Sequence, residues 1–187
     1  MGERDSFSGR SGSGDNIVCV TVLGRDRPGI IAGITRVLHE RAANIRESAM
    51  TILGHQCAML IIVQLPRNMS MTELERALEG VKKQYELSVF VTRVAAHELS
   101  AEDIGPARNW SITLYGGDHP GIVHEVAQLM ASFDATITEL KVRVVGRDPD
   151  IGIVSMRVRP PRGLSMERVR PEVEKLGPRF GVEVRFG

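Results

Sequence analysis

The sequence predicts an α+β fold of two ferredoxin-like βαββαβ units, each an antiparallel sheet with its helices on one face. Three observations carry this. The stretch "LGRDRPGIIAGI" (23–34) returns ninety-two residues later as "YGGDHPGIVHEV" (115–126), with Asp, Pro, Gly and Ile in the same order. Residues 20–50 align with 112–142 without a gap; nine of 31 pairs are identical, and at the core-facing positions most of the rest keep apolar against apolar. Residues 66–91 align with 161–186 at an offset of 95, so "PRNMSM" meets "PRGLSM". The three extra residues fall between "ILGHQCA" and "VVGRDPDIGI", in a turn, where insertions are tolerated.

The repeat sets the expected boundaries: a tail over 1–16, one unit over 17–95, a linker over 96–108 and a second unit over 109–187. The tail, "MGERDSFSGRSGSGD", is Gly, Ser and charge without an apolar core segment, so it reads as disordered and not as a secretory signal.

Each element has its own signal. "IVCVTVL" (17–23) is a β-rich apolar run. Ile30, Ile34, Val37 and Leu38 then fall at helical spacing, with Pro28 expected in the first turn. "NIRESAMTIL" (44–53) and "CAMLIIVQL" (57–65) read as two strands joined at Gly54. "SMTE" (70–73) is a capping-box pattern opening a helix with Leu74, Leu78, Val81 and Tyr85 on one face. "LSVFVTRV" (87–94) closes the unit as a strand. The second unit repeats the order over 109–115, 120–133, 136–146, 151–159, about 165–178 and 181–186. Pro171 lies inside its second helix, which is expected to start late or bend.

Composition narrows the function. The net charge is +1, with 10 basic against 7 acidic residues in 17–95 and 11 against 10 in 109–187, so neither unit carries a field suited to nucleic acid or anionic lipid. RNA-binding domains of this fold stack bases on aromatics of a central strand, and "CAMLIIV" and "IGIVSMRV" contain none. Direct nucleic-acid binding is therefore not expected, and no helix-turn-helix or zinc motif is present. The longest apolar run, 57–63, is too short to span a bilayer, so no membrane association is expected and the cytoplasm is the default. Cys19 and Cys57 lack metal or redox spacing and read as buried thiols. Met50, Met59, Met69, Met71, Met130 and Met156 read as core filling or packing beside helix caps.

The repeated turn is the candidate site. The first N–H groups of a helix have no partner within it and form a small anion site. Gly29 and Gly121 lack a Cβ, so a ligand can approach the backbone. Asp26 and Asp118 could cap the helix or accept a hydrogen bond from a ligand ammonium group. Such a pair of features suits a free α-amino acid, although Asp-x-Pro-Gly is also a plain way to start a helix.

"VTVLGRDRPGIIAGITRVLHERAANI" and "ITLYGGDHPGIVHEVAQLMASFDATI" resemble the first strand, turn and helix of ACT domains, the amino-acid-sensing βαββαβ modules. The resemblance covers both repeats, and two such domains with nothing attached are similar to the family of the glycine cleavage system transcriptional repressor. It implies a ligand between paired domains, held by the strand-to-helix turn and the start of the next strand. The matching positions are Asp26, Arg27, Pro28, Gly29, Ile30 and Ile31 with Asn44, and Asp118, His119, Pro120, Gly121, Ile122 and Val123 with Thr136. Thr136 departs from the Asn common in the family, so unequal sites are expected.

The resemblance thus implies a regulatory protein, not an enzyme, that binds a small amino acid such as glycine or serine and acts through a protein partner. No cofactor or metal is expected, and a homodimer is a further expectation. Two alternatives stay open. One is a small acylphosphatase-like enzyme holding phosphate with Arg25 and Arg27, although the second repeat has Gly117 and His119 there. The other is the detached regulatory module of an amino-acid enzyme. His119 and His124 have no third metal ligand beside them, and Asp148 and Asp150 read as shaping a hairpin turn.

Overall fold

Alternation in the first apolar run becomes a strand buried on one side. In β1 (Ile17–Arg25), Val18, Val20 and Val22 are fully buried, while Cys19, Thr21 and Leu23 turn to the other face. The computed structural model describes residues 16–95, 109–146 and 151–187. The expected tail up to residue 15, the linker at 96–108 and the turn formed by Asp148 and Asp150 lie outside the described residues.

Helix α1 (Ile30–Glu40) buries Ile30, Ile34, Val37 and Leu38 against the sheet, together with Gly33. Strands β2 (Asn44–Leu53) and β3 (Gln56–Gln64) form a hairpin through Gly54 and His55. Both turn residues have positive φ, 55° and 65°, as the twist of a two-residue hairpin demands. Helix α2 (Met71–Tyr85) opens with the expected capping box. The Ser70 hydroxyl accepts from the Glu73 N–H at 3.3 Å, and the Glu73 carboxylate accepts from the Ser70 N–H at 2.7 Å. The Ser70 N–H bond and a second one, donated by the Ser70 hydroxyl to the Glu73 carboxylate at 2.8 Å, hold that carboxyl below its ordinary range. Leu74, Leu78 and Val81 are buried, with Tyr85 packed at the edge of the same core. After α2, β4 (Ser88–Arg93) completes an antiparallel sheet of order β2-β3-β1-β4.

The second unit repeats this order with β5 (Trp110–Gly117), α3 (Ile122–Ser132), β6 (Thr136–Val145), β7 (Ile151–Arg159), α4 (Met166–Glu174), α5 (Leu176–Phe180) and β8 (Val182–Phe186). Its sheet runs β6-β7-β5-β8. Trp110, the only tryptophan of the chain, is 8% exposed and belongs to the second core. The chain divides into two units, Met1–Ala101 and Glu102–Gly187.

The structure corrects two expectations. The helix containing Pro171 starts on time at Met166 and breaks at Lys175, so that α4 and α5 share the length of the single helix α2. Pro178, four residues after Glu174, explains the break: it has no N–H to bond the Glu174 carbonyl, where α4 ends. Met50 is not core filling. It lies on β2 at 41% exposure, whereas Met59, Met130 and Met156 are buried as expected and Met69 and Met71 pack against the first core.

Candidate functional site

The two repeated turns share one backbone geometry. Gly29 has φ 96° and ψ −9°, and Gly121 has φ 94° and ψ −14°. The Ile30 N–H reaches back to the Arg27 carbonyl at 3.5 Å, and the Ile122 N–H to the His119 carbonyl at 3.4 Å. A bond from residue i+3 to residue i, Pro at i+1 and a positive-φ Gly at i+2 define a type II turn. The glycines are thus required by the backbone itself, whatever binds there. Pro28 and Pro120 lie in this turn, before the helix, and not in the first helical turn as expected.

The turns sit at the sheet end where β1 and β5 finish. Gly24 and Gly116 bring the chain after the second helix close: a Cβ on Gly24 would stand 2.6 Å from Leu87, and one on Gly116 2.6 Å from the Gly181 carbonyl. The Asp26 N–H donates to the His55 carbonyl at 2.9 Å, tying the first turn to the β2–β3 hairpin. Neither Asp26 nor Asp118 caps its helix. Gly29 and Gly121 occupy the cap positions, and no side chain accepts from the helix N–H groups. Both carboxylates are exposed beside the start of the third strand of their unit. Asp26 and burial together push the Cys57 thiol up, burial being the larger cause. Asp118 Oδ1 lies 3.4 Å from where a Cβ on Gly152 would stand. Cys57 and Gly152 are partners in the repeat.

Asp26, Arg27, Pro28, Gly29 and Ile31 are thus gathered and exposed around each helix start, with Ile30 buried beneath; Asp118, His119, Pro120 and Gly121 repeat the pattern over buried Ile122, with Val123 half-buried. Asn44 and Thr136 are not gathered with them. Asn44 pairs with Gln64, which also faces Ile17, at the far end of β1 from the turn. Thr136 pairs with Arg159, next to the Val158 that faces Trp110. Eight strand steps at ~3.3 Å put roughly 26 Å between Asn44 and the turn of its own unit. Neither strand start can therefore share a small ligand with the turn of its own unit.

Around these matching backbones the side chains differ. Arg27 is bonded to Glu86 at 2.5 Å, so the arginine offered for phosphate binding is already engaged; Arg25 is exposed, and glycine replaces it in the repeat. The Tyr85 hydroxyl lies 2.7 Å from where a Cβ on Gly29 would stand, whereas a Cβ on Gly121 would meet nothing within 4 Å. The sequence places Tyr85 only on the apolar face of its helix; the signal available was its position as the last residue of a helix that returns to the same sheet end. His119 folds over Gly117 and His124 is exposed; no group of three metal-ligating side chains occurs among the described residues. Among the described residues, no helix is long and apolar enough to cross a membrane.

A protein-family model described as ACT domain matches residues 16–92. A UPF0237 protein of Methanopyrus kandleri is 40% identical over 73 residues, 38% of this chain and 81% of that protein. The glycine cleavage system transcriptional repressor of Escherichia coli is 26% identical over 131 residues, covering 70% of this chain and 66% of its own length. Among solved structures, an unknown protein from Galdieria sulphuraria superposes with a TM-score of 0.77 at 24% identity, covering 91% of this chain and 96% of that one. A provisionally assigned glycine cleavage system transcriptional repressor gives 0.69 at 18% identity, over 91% and 95% of the two chains.

Proposed function

This chain belongs to the ACT-domain family, and from that premise we propose that it is an amino-acid-sensing regulatory protein. It binds a small amino acid, glycine or serine in size, at the turns that open α1 and α3, and it acts through a partner protein without catalysing a reaction. The observation that carries this reading is the twice-built type II turn, which leaves a helix start without a side-chain cap beside an exposed aspartate. Uncapped N–H groups and the helix dipole suit an α-carboxylate; Asp26 or Asp118 suits the α-ammonium. The clustered residues are therefore proposed as ligand contacts of their own turn, and Asn44 and Thr136, at the far end of the sheet, are not.

The likeness to the Escherichia coli repressor supports a role in gene expression tied to glycine metabolism. The near-zero net charge and the lack of aromatics on β3 and β7 favour a protein partner over direct contact with nucleic acid. A cytoplasmic location and a homodimer accompany the proposal. Thermal unfolding in the presence of each of the twenty amino acids tests it. A small amino acid should raise the midpoint in proportion to the logarithm of its concentration. No shift with any of the twenty would refute ligand sensing.

A further inference from the structure

The two turns have one backbone and different neighbours, and the differences gather in one place. Four positions around the first turn exchange in the repeat: Arg25 for Gly117, Arg27 for His119, Tyr85 for Phe180 and Glu86 for Gly181. In the first unit, the Tyr85 hydroxyl stands beside Gly29 and Glu86 is bonded to Arg27 of the turn at the surface. In the second, Phe180 has no hydroxyl to offer and Gly181 has no side chain to reach the turn. Because Gly117 also lacks one, the His119 ring folds back over it, with Nε2 3.0 Å from where a Cβ would stand. Gly121 itself is clear to 4 Å.

Glu86 holds its place against backbone preference. It caps α2 in the left-handed conformation at φ 55°, a position that favours glycine, and its counterpart Gly181 has φ 60°. A carboxylate persists where the repeat uses the easier residue, and it pairs with Arg27, the arginine within the turn itself.

We infer that Tyr85, Arg27 and Glu86 close the first turn, so that the turn of the second unit alone receives an amino acid. The inference rests on the reading of these turns as ligand sites. Glu86 occupies the charge that a ligand carboxylate would seek, and the Tyr85 hydroxyl stands in the approach to Gly29. The chain therefore takes one amino acid at these turns, although it builds the turn twice.

Amide NMR of the full chain tests this, titrated with each of the twenty amino acids in turn. The expected result is that signals of Gly121, Ile122 and Val123 move with a small amino acid while those of Gly29, Ile30 and Ile31 stay. Reciprocal exchanges supply the control. Tyr85→Phe with Glu86→Gly should bring the first turn into play, so that both sets move. His119→Arg, Phe180→Tyr and Gly181→Glu together should silence the second. The backbone tolerates both exchanges, since positions 86 and 181 share the left-handed conformation and one of them already carries Glu; retained amide dispersion verifies folding. Movement at both turns in the wild type overturns closure but keeps ligand sensing. An opened variant whose first turn stays silent, or a closed variant that still binds at Gly121, overturns it too. Silence at both turns with all twenty refutes the sensing reading and the closure with it.

Discussion

Replacing Gly29 and Gly121 with alanine separates what the backbone requires from what Tyr85 adds. Both glycines sit at φ near +95°, where an L-residue loses roughly 1–2 kcal/mol. At Gly121 the new methyl meets nothing within 4 Å, so the cost ends there. At Gly29 it would lie 2.7 Å from the Tyr85 hydroxyl, well inside ordinary contact, and the phenol must move. Displacing a packed side chain by about one off-rotamer step adds roughly 0.5–1.5 kcal/mol. Gly29→Ala should therefore destabilise its unit by about 1.5–3.5 kcal/mol, and Gly121→Ala its own by about 1–2 kcal/mol. In a Tyr85→Phe background the nearest remaining ring atom is 3.5 Å away, and the excess should vanish. Urea unfolding followed by far-ultraviolet circular dichroism measures each loss. Equal costs for the two glycines, or an excess at Gly29 that survives Tyr85→Phe, would refute the steric account. Because alanine already costs this much, a larger side chain that abolishes ligand binding at either glycine would not show that access was blocked.

Other outcomes follow from the same geometry. Ser70→Ala should cost about 1 kcal/mol, the usual loss for a helix cap, and lift the titration of Glu73 back toward ordinary carboxylates. Because Glu73 is depressed in the folded state, the stability it lends is present above its unfolded value and fades as pH falls through the folded one; the gap between wild type and Ser70→Ala in acid melts should narrow below that range but keep the part due to the Glu73 N–H bond to Ser70 Oγ, which does not titrate. Cys57, 1% exposed with its thiol pushed up by burial and Asp26, should react with a thiol reagent at neutral pH more slowly than half-buried Cys19; mass mapping of a partially labelled sample decides this. Cutting the chain within 96–108 should leave halves that each keep mixed helix and sheet by circular dichroism, and two disordered halves would sink the two-unit reading.

The architecture was legible because its signals are local and doubled. Val18, Val20 and Val22 alternate, Ile30, Ile34, Val37 and Leu38 recur at helical spacing, and the Ser70–Glu73 box names its own helix start. Each reappears, exactly or as an apolar match, in the second copy, apart from the Glu73 carboxylate, which Arg168 replaces. Three things escaped for physical reasons. The type II turn was written in the Pro-Gly pair, but Asp26 drew the eye as a cap that the backbone left to Gly29. Pro178 broke a helix that Pro171 alone was expected to disturb, because a missing N–H acts on the carbonyl four residues earlier. Met50 looked like core because an apolar residue on an edge strand has no sequence mark for which face it takes. At the candidate site, the grouping of turn and strand start came from a family resemblance, and register shows that one unit cannot bring them together. The closure by Tyr85 and Glu86 depends on a contact between residues 59 positions apart in the case of Arg27 and Glu86, which no local pattern encodes.

The placement of Trp110 has an optical consequence. As the only indole in the chain, it makes intrinsic emission excited at the red edge a report on the second core alone. A fluorescence melt would follow the half that contains Gly121 and pass in silence over the half that contains Gly29. The chain carries a built-in label on one of its two copies, and a probe blind to the other.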